Sequence, residues 1–411
     1  MARRDNDFKL VWVALSVSLI GSEITYLALP LLAIASLHVT PTQMGVLSAS
    51  GQAPFLILSL FAGIVVDRVR RRQLLVATDL VSSFALVSIP IAAIFQQLTF
   101  MHLCVASFVV GSASVFSEVA HYSFVPNLVG RRALTSANSR LQVSYSFAES
   151  AGPGVGGLLI QAFSAPFAIF VDAVSFLVSA VLLLRVKHRE ERVVESEIRI
   201  SIGRQLRDGL VFLFAHRLLR PIILTGVFVG LFEGASSALY VLYATTQLTL
   251  TPAQIGIVFV TAGIGALPGA VLASWFGRRF GIGPAIVIGL FGSTVSIVAL
   301  NFVTGTPIFT IVILGVAKAL GALLFTVANI HQWTLRQNLT PDRLAGRVTA
   351  AQRFLVYGAG ALGALGGGML AGVTSIRVGI LVTAAGAVAA PLIVVFSPIR
   401  HLREQPQPDQ A

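Results

Sequence analysis

Charged side chains that fall inside long apolar runs are the residues of this chain best suited to chemistry. Glu23, Glu149, Glu233 and Lys318 each stand well inside such a run. At about 1.5 Å per residue, a position about ten to thirteen residues into a run lies near the middle of a bilayer. Asp172 falls somewhat further out, and Asp79 and Glu118 lie nearer the ends of their runs. An ionised side chain at the centre of a membrane helix costs about 3 kcal/mol on insertion scales, so each needs a reason to be there. A carboxyl group held in a low-dielectric cavity can exchange protons near neutral pH. The chemistry these residues could do is therefore proton exchange, with a cation able to take the proton's place. Glu149 has a second reading: it stands one turn before Pro153 and could bond to backbone that the proline frees.

Other chemistries find little material. There is no Gly-rich loop ending in Lys-Ser or Lys-Thr to cradle a nucleotide, and no His-Glu-x-x-His or paired-Cys spacing to hold a metal. Cys104 is the single cysteine, so no intramolecular disulfide can form. His102, His121 and His331 are scattered near the ends of apolar runs and read as interfacial. The expected class is a non-enzymatic one, with no cofactor beyond a coupling proton and no metal.

The elements that must position these residues follow from composition. Of 411 residues, 55% are hydrophobic and only 11% charged, with a mean hydropathy of +0.86. A water-facing domain carries about twice that charge. The apolar residues lie in runs of about 18 or more, the length of a membrane-spanning helix. About twelve runs are expected, at 10–36, 43–66, 73–95, 98–120, 137–162, 165–186, 219–245, 252–276, 281–303, 306–330, 347–373 and 375–397. Breaks at Thr40-Pro41, Gln96-Gln97, Ala165-Pro166, Thr251-Pro252 and Gly305-Thr306-Pro307 separate them. A barrel would instead show segments of about ten alternating residues. The first run is too long, and lacks the following cleavage site, to read as a removed signal.

Arg and Lys cluster at alternate ends of these runs: Arg3, Arg4 and Lys9; Arg68 to Arg72; Arg131, Arg132 and Arg140; Arg278 and Arg279; Arg336 to Arg353; Arg400 and Arg403. Only Arg377 breaks the pattern. This is the positive-inside asymmetry, and it predicts both termini on the cytoplasmic side. The net charge of +12 is then a topology signal and not a nucleic-acid footprint. Trp12, Trp275 and Trp333 fall where an interfacial aromatic belt would.

The centre of the chain differs. Residues 187–217 form the longest polar stretch. Ile198, Ile202, Leu206, Leu210 and Leu213 recur there at helical spacing, with Arg199, Arg204 and Arg207 on the other face. Two readings stand: an amphipathic helix on the cytoplasmic membrane surface, or a solvated linker. Either divides the chain into a six-helix bundle at 1–186, a linker at 187–217, a second bundle at 218–400 and a tail at 401–411. The halves also repeat. Pro126, Leu128, Gly130-Arg131, Ala137, Arg140 and Gly156-Gly157-Leu158 are echoed by Pro341, Leu344, Gly346-Arg347, Ala350, Arg353, Gly367-Gly368 and Leu370. Duplicated bundles of this kind are a mark of secondary transporters.

Two motifs sharpen this. Gly63-x-x-x-Asp67-Arg68-Val69-Arg70-Arg71-Arg72 lies between the second and third runs. It resembles the cytoplasmic loop signature of the major facilitator superfamily, with Arg70 where that family has glycine. Gly152-Pro153-Gly154-Val155-Gly156-Gly157 in the fifth run resembles the Gly-Pro-x-x-Gly-Gly core of the superfamily's antiporter motif. Ala148 and Ser139 stand where the full motif has glycines. Pro30-Leu31-Leu32, Phe116-x-Glu118-Val119-Ala120, Asp172-Ala173-x-Ser175-Phe176 and Leu335-Arg336-Gln337 are similar to the subfamily of macrolide and tetracycline exporters and the enterobactin exporter.

The resemblance implies an all-α membrane protein with twelve transmembrane helices in two pseudo-symmetric six-helix bundles, multi-pass in a bacterial plasma membrane and monomeric. It implies that Gly63 lets helices approach while Asp67 with Arg68, Arg71 and Arg72 latches an inner gate. The plainer reading of those arginines is a positive-inside loop. It implies that Gly152, Pro153, Gly156 and Gly157 shape an exporter's helix contact, beside the plainer reading of tight packing. It places Glu23, Glu233 and Lys318 on cavity-lining spans. Glu23 is expected to carry the proton and the cation, and Glu233 either to share that role or to pair with Lys318. The implied activity is export of amphipathic drug-like or siderophore-like molecules by proton antiport. The alternative is proton-coupled uptake of a small solute on the same fold.

Overall fold

The structure is a computed structural model. It describes residues 2–130, 133–188, 202–303 and 306–404, except the side chains of residues 2–5, 60, 64, 67, 135, 202, 205, 342 and 343. The described residues are almost wholly helical and contain no strand. The helices are α1 Ala2–Leu37, α2 Pro41–Arg68, α3 Arg71–Ile94, α4 Phe100–Val129, α5 Leu134–Ala162, α6 Ala165–Arg185, α7 Ile202–Ala215, α8 Leu219–Thr246, α9 Pro252–Phe280, α10 Ile282–Ser293, α11 Val295–Phe302, α12 Pro307–Leu339, α13 Asp342–Val373 and α14 Ile376–Val395. Ten segments are long and apolar enough to cross a membrane, with α10 and α11 counting together as one. Two further helices, α2 and α5, have spanning lengths of 28 and 29 residues. The chain is a multi-pass membrane protein.

Local chemistry ends the helices where the polar and proline breaks predict. Thr99, Ser164, Thr306 and Ser375 each accept a backbone N–H three residues on, from His102, Phe167, Phe309 and Val378. These are N-caps that satisfy donors a helix start leaves open. One boundary was not foreseen. The run expected as one helix over 281–303 is broken at Thr294, whose N–H and Oγ1 both bond to the Phe291 carbonyl while Ser293 Oγ bonds to that of Leu290. Hydroxyls that bond back to the preceding turn compete with the helical ladder and bend it.

The described chain forms two compact units. Unit 1 comprises Met1–Val39, Ser50–Arg199 and Thr251–Gly256; unit 2 comprises Thr40–Ala49, Ile200–Leu250 and Ile257–Ala411. In unit 1, α1 packs on α5 and α6, and α3 on α4 and α6. In unit 2, α8 packs on α13 and α14, and α10 on α12 and α14. The pairing in the second unit thus repeats that in the first, helix for helix. Unit 2 also takes in the first turns of α2, where Gly45 lies against the Ala364 carbonyl and Gly368 of α13. Small residues allow such close backbone approach in membrane bundles.

The central linker corrects an expectation. Ile198 and Arg199 lie outside the described residues. The helix that follows, α7, does not spend its apolar face on a membrane surface. Leu206, Leu210 and Leu213 pack into the core of unit 2 with Val348, Ala351 and Leu219. Gly209 sits against the Arg347 backbone, and Arg347 Nη1 meets Asp208 Oδ2 at 2.8 Å. An amphipathic stripe calls for an apolar partner, and sequence alone does not say whether lipid or protein supplies it.

Candidate functional site

In unit 1, the acids of the apolar runs converge on α1. Glu23 on α1 is half-buried and packs its side chain against Gly152 of α5. A Cβ at position 152 would collide with the Glu23 Cβ, so the close contact requires glycine there. One turn on, Gly156 faces Ile24, whose Cα would lie 3.1 Å from an added Cβ. Glu149, on the same helix as Gly152, is exposed and acts electrostatically on Glu23. Glu149 makes no hydrogen bond with a described residue, so the expected bond to backbone freed by Pro153 is not formed.

The other face of the same motif meets the first turn of α9, which belongs to unit 1. Gly157 abuts the Pro252 carbonyl, and Gly256 faces the Pro153 carbonyl and Gly154. Gln161 Oε1 accepts the Ala253 N–H at 3.2 Å. The Gly-Pro motif is therefore packed on two sides: one holds a buried acid, and the other a helix start.

Asp172 of α6 is almost fully enclosed at 1% exposure. It accepts the Thr25 hydroxyl through Oδ2 at 2.5 Å and the Ser175 hydroxyl through Oδ1 at 3.0 Å. Gly21 of α1 lies against both Asp172 and Ser175. Asp172 is thus a polar seam between α1 and α6, a hydrogen-bonded helix contact.

In unit 2, Lys318 of α12 is half-buried, with its ammonium 5.2 Å from the Tyr240 ring centre and 5.1 Å from that of Phe259. Both distances fall in the cation–π range. The two rings meet edge to face at 5.2 Å. Glu233 of α8 is exposed and acts on Lys318 through its charge. The aromatic box around Lys318 was missed by sequence reading. Tyr240 is on α8 and Phe259 on α9, and neither has a spacing relation to Lys318 on α12.

The cytoplasmic-loop motif is placed only in part. The Asp67 side chain lies outside the described residues, so its latch is not seen. Arg68 is exposed. At Gly63 an added Cβ would meet no described atom within 4 Å, so none of the described residues makes the close helix contact expected there. Arg72 instead donates to the Val186 carbonyl at 2.7 Å and the Leu184 carbonyl at 3.1 Å, closing the end of α6. A cation at a helix C-terminus satisfies carbonyls that have no partner in the helix. Asp79 Oδ2 accepts the Ser179 hydroxyl of α6 at 2.6 Å. His331 is buried against the Ala273 carbonyl at 2.9 Å and is not interfacial. Trp12 is bonded inside unit 1, its Nε1–H donating to Ser144 Oγ at 2.8 Å, whereas Trp275 and Trp333 are half-exposed as an aromatic belt requires.

Comparison with known proteins agrees with this architecture. A model of the transmembrane secretion effector family, a branch of the major facilitator superfamily, matches residues 3–410. The chain is 26% identical over 398 residues to "Multidrug efflux pump Tap" of Mycolicibacterium fortuitum, covering 93% of each chain. It is 23% identical over 273 residues to "Macrolide efflux protein A" of Streptococcus pyogenes, covering 66% of this chain and 67% of that one. Among solved structures, a bacterial homologue of the iron transporter ferroportin shares the fold at a TM-score of 0.76 and 17% identity, covering 95% and 98% of the two chains. With its repeated helix pairing and a family match over nearly its whole length, the chain belongs to the transmembrane secretion effector family of the major facilitator superfamily.

Proposed function

We propose that this protein exports amphipathic, drug-like or siderophore-like small molecules in exchange for protons. The observation that carries the reading is the contact of Glu23 with Gly152. It sets an acid deep in a membrane bundle directly on the Gly-Pro motif that resembles the antiporter signature. A proton on Glu23 removes its charge, while an ionised Glu23 next to Glu149 attracts a cation. Exchange between the two is antiport, and α5, with Pro153 inside it, is the element that can respond to it. The efflux names of the relatives support the outward direction.

In unit 2, Lys318 and Glu233 orient the substrate. The rings of Tyr240 and Phe259 hold the Lys318 ammonium in place for that role. The distribution of Arg and Lys supports cytoplasmic termini in a bacterial plasma membrane, and the protein works as a monomer.

The test is efflux of a fluorescent cationic dye from energised cells, comparing the wild type with Glu23→Gln. Export that collapses with the proton gradient and is lost in the variant supports the reading. Dye accumulation in place of export, driven by the same gradient, would establish the symport direction and reject antiport.

A further inference from the structure

Unit 1 contains a second polar site, distinct from Glu23. A cavity of about 190 Å³ opens among α1, α3, α4 and α5. Its wall carries Asp79 of α3 and Glu118 and His121 of α4. The cavity also takes in Ser22, Ser82 and Ser117, none of which makes a side-chain hydrogen bond to a described residue. The cavity has room for several waters, and these polar side chains would give them partners in an otherwise apolar bundle.

Asp79 is the group least easily explained by packing. It is 5% exposed, and only its Oδ2 has a partner, Ser179. Its Oδ1 accepts no hydrogen bond from a described residue. The Nδ1 of His121 is enclosed without a partner. The enclosed His121 nitrogen lacks the bond that burial normally demands, whereas Asp79 Oδ1 is not sealed off and Asp79 lines the cavity. Among the described residues, no three acidic, histidine or cysteine side chains are close enough to hold a metal ion.

We propose that this cavity is a second proton-binding site, with Asp79 as the group that takes the proton. This rests on the proton-exchange reading of the protein. A hydronium in the cavity gives its proton to Asp79 Oδ1, forming a neutral carboxyl and a water. The carboxyl ionises again by returning the same proton to a cavity water, one O–H bond breaking as another forms. Glu118 and the Tyr145 hydroxyl are the other titratable groups on the wall; α1 and α6 bring only serine hydroxyls to it beside apolar side chains, and α2 brings Phe55. A site at the α3–α4 contact holds a proton apart from Glu23, so one proton can be held in unit 1 while Glu23 binds a cation.

The test is infrared difference spectroscopy of the full chain in lipid, between acid and alkaline pH, reading the C=O stretch of protonated carboxyls. The expected result is a titrating band that disappears in Asp79→Asn and persists in Glu23→Gln. Ser179→Ala is the second variant; it leaves the band but shifts its frequency, because the hydrogen bond to Asp79 is gone. A band unchanged in both Asp79→Asn and Ser179→Ala overturns the inference, as does a band that responds to sodium at constant pH. Should Asp79→Asn not fold, an unshifted band in Ser179→Ala overturns it alone. Wild-type dye export that survives dissipation of the proton gradient would defeat the antiport reading, whereas the infrared bands judge the Asp79 site separately.

Discussion

Gly152 of α5 lies directly against the side chain of Glu23 on α1, with no room for a methyl group between them. A mutation at this one glycine therefore acts on the acid without touching it. Gly152→Ala must push α1 from α5 or turn Glu23 aside, and overpacking of this kind costs about 1–3 kcal/mol. Gly63→Ala is the control. An added Cβ there meets no described atom within 4 Å, and alanine favours a helix over glycine by about 0.5–1 kcal/mol. Thermal unfolding in detergent should show Gly152→Ala destabilised and Gly63→Ala unchanged or slightly stabilised. Efflux should fall only in the former.

Lys318 rests over the rings of Tyr240 and Phe259. A double-mutant cycle of Lys318→Met with Tyr240→Leu, read by thermal unfolding in detergent, should give a coupling of about 0.5–2 kcal/mol, the range of a cation–π contact. A coupling near zero would show that the ring does not hold the ammonium.

The Asp208–Arg347 pair ties α7 to α13, but its side chains are 37% and 28% exposed. Water and salt screen such a pair, so a double-mutant cycle should give a coupling of only about 0.2–1 kcal/mol. The coupling should shrink as ionic strength rises. The leucines beneath it matter more: Leu213→Ala removes a side chain that is 1% exposed and should cost about 2–5 kcal/mol.

His216 joins α7 to α8, outside the membrane-spanning segments. Its Nδ1 accepts the Leu218 and Leu219 backbone N–H groups at 3.2 and 3.4 Å, serving the start of α8. Burial holds its imidazole below the ordinary 6.5. The folded state therefore binds this proton less readily than the unfolded one. The cap is complete above pH 6.5 and weakens as pH falls below that value towards the lowered folded pKa. Hydrogen exchange of the first α8 amides should accelerate over that interval in the wild type and be fast and pH-flat, after correction for intrinsic rates, in His216→Ala.

Much of the fold was legible in the sequence, because the rule that governs it is local. A bilayer demands apolar runs of fixed length, and the cost of burying charge confines Arg and Lys to the ends. The breaks at Thr40-Pro41, Ala165-Pro166, Thr251-Pro252 and Thr306-Pro307 coincide with helix starts at Pro41, Ala165, Pro252 and Pro307. The kink at Thr294 did not show, because Ser and Thr read as ordinary span residues until their hydroxyls are seen bonding backwards.

The charged residues were equally visible by type and depth, since Glu23, Glu149, Glu233 and Lys318 stand out against apolar neighbours. What sequence could not decide was partnership. Glu23 meets Gly152 and Asp172 meets Thr25 across well over a hundred residues of chain, and Lys318 finds Phe259 on a different helix. The α7 stripe is amphipathic whether it faces lipid or α13, and only packing chose α13. Composition and spacing thus determined that the chain spans a membrane and which residues it could least afford to leave there without a purpose. Tertiary structure alone decided which of them meet, because side-chain contacts between helices depend on rotation about each helix axis, which apolarity on all sides leaves unspecified.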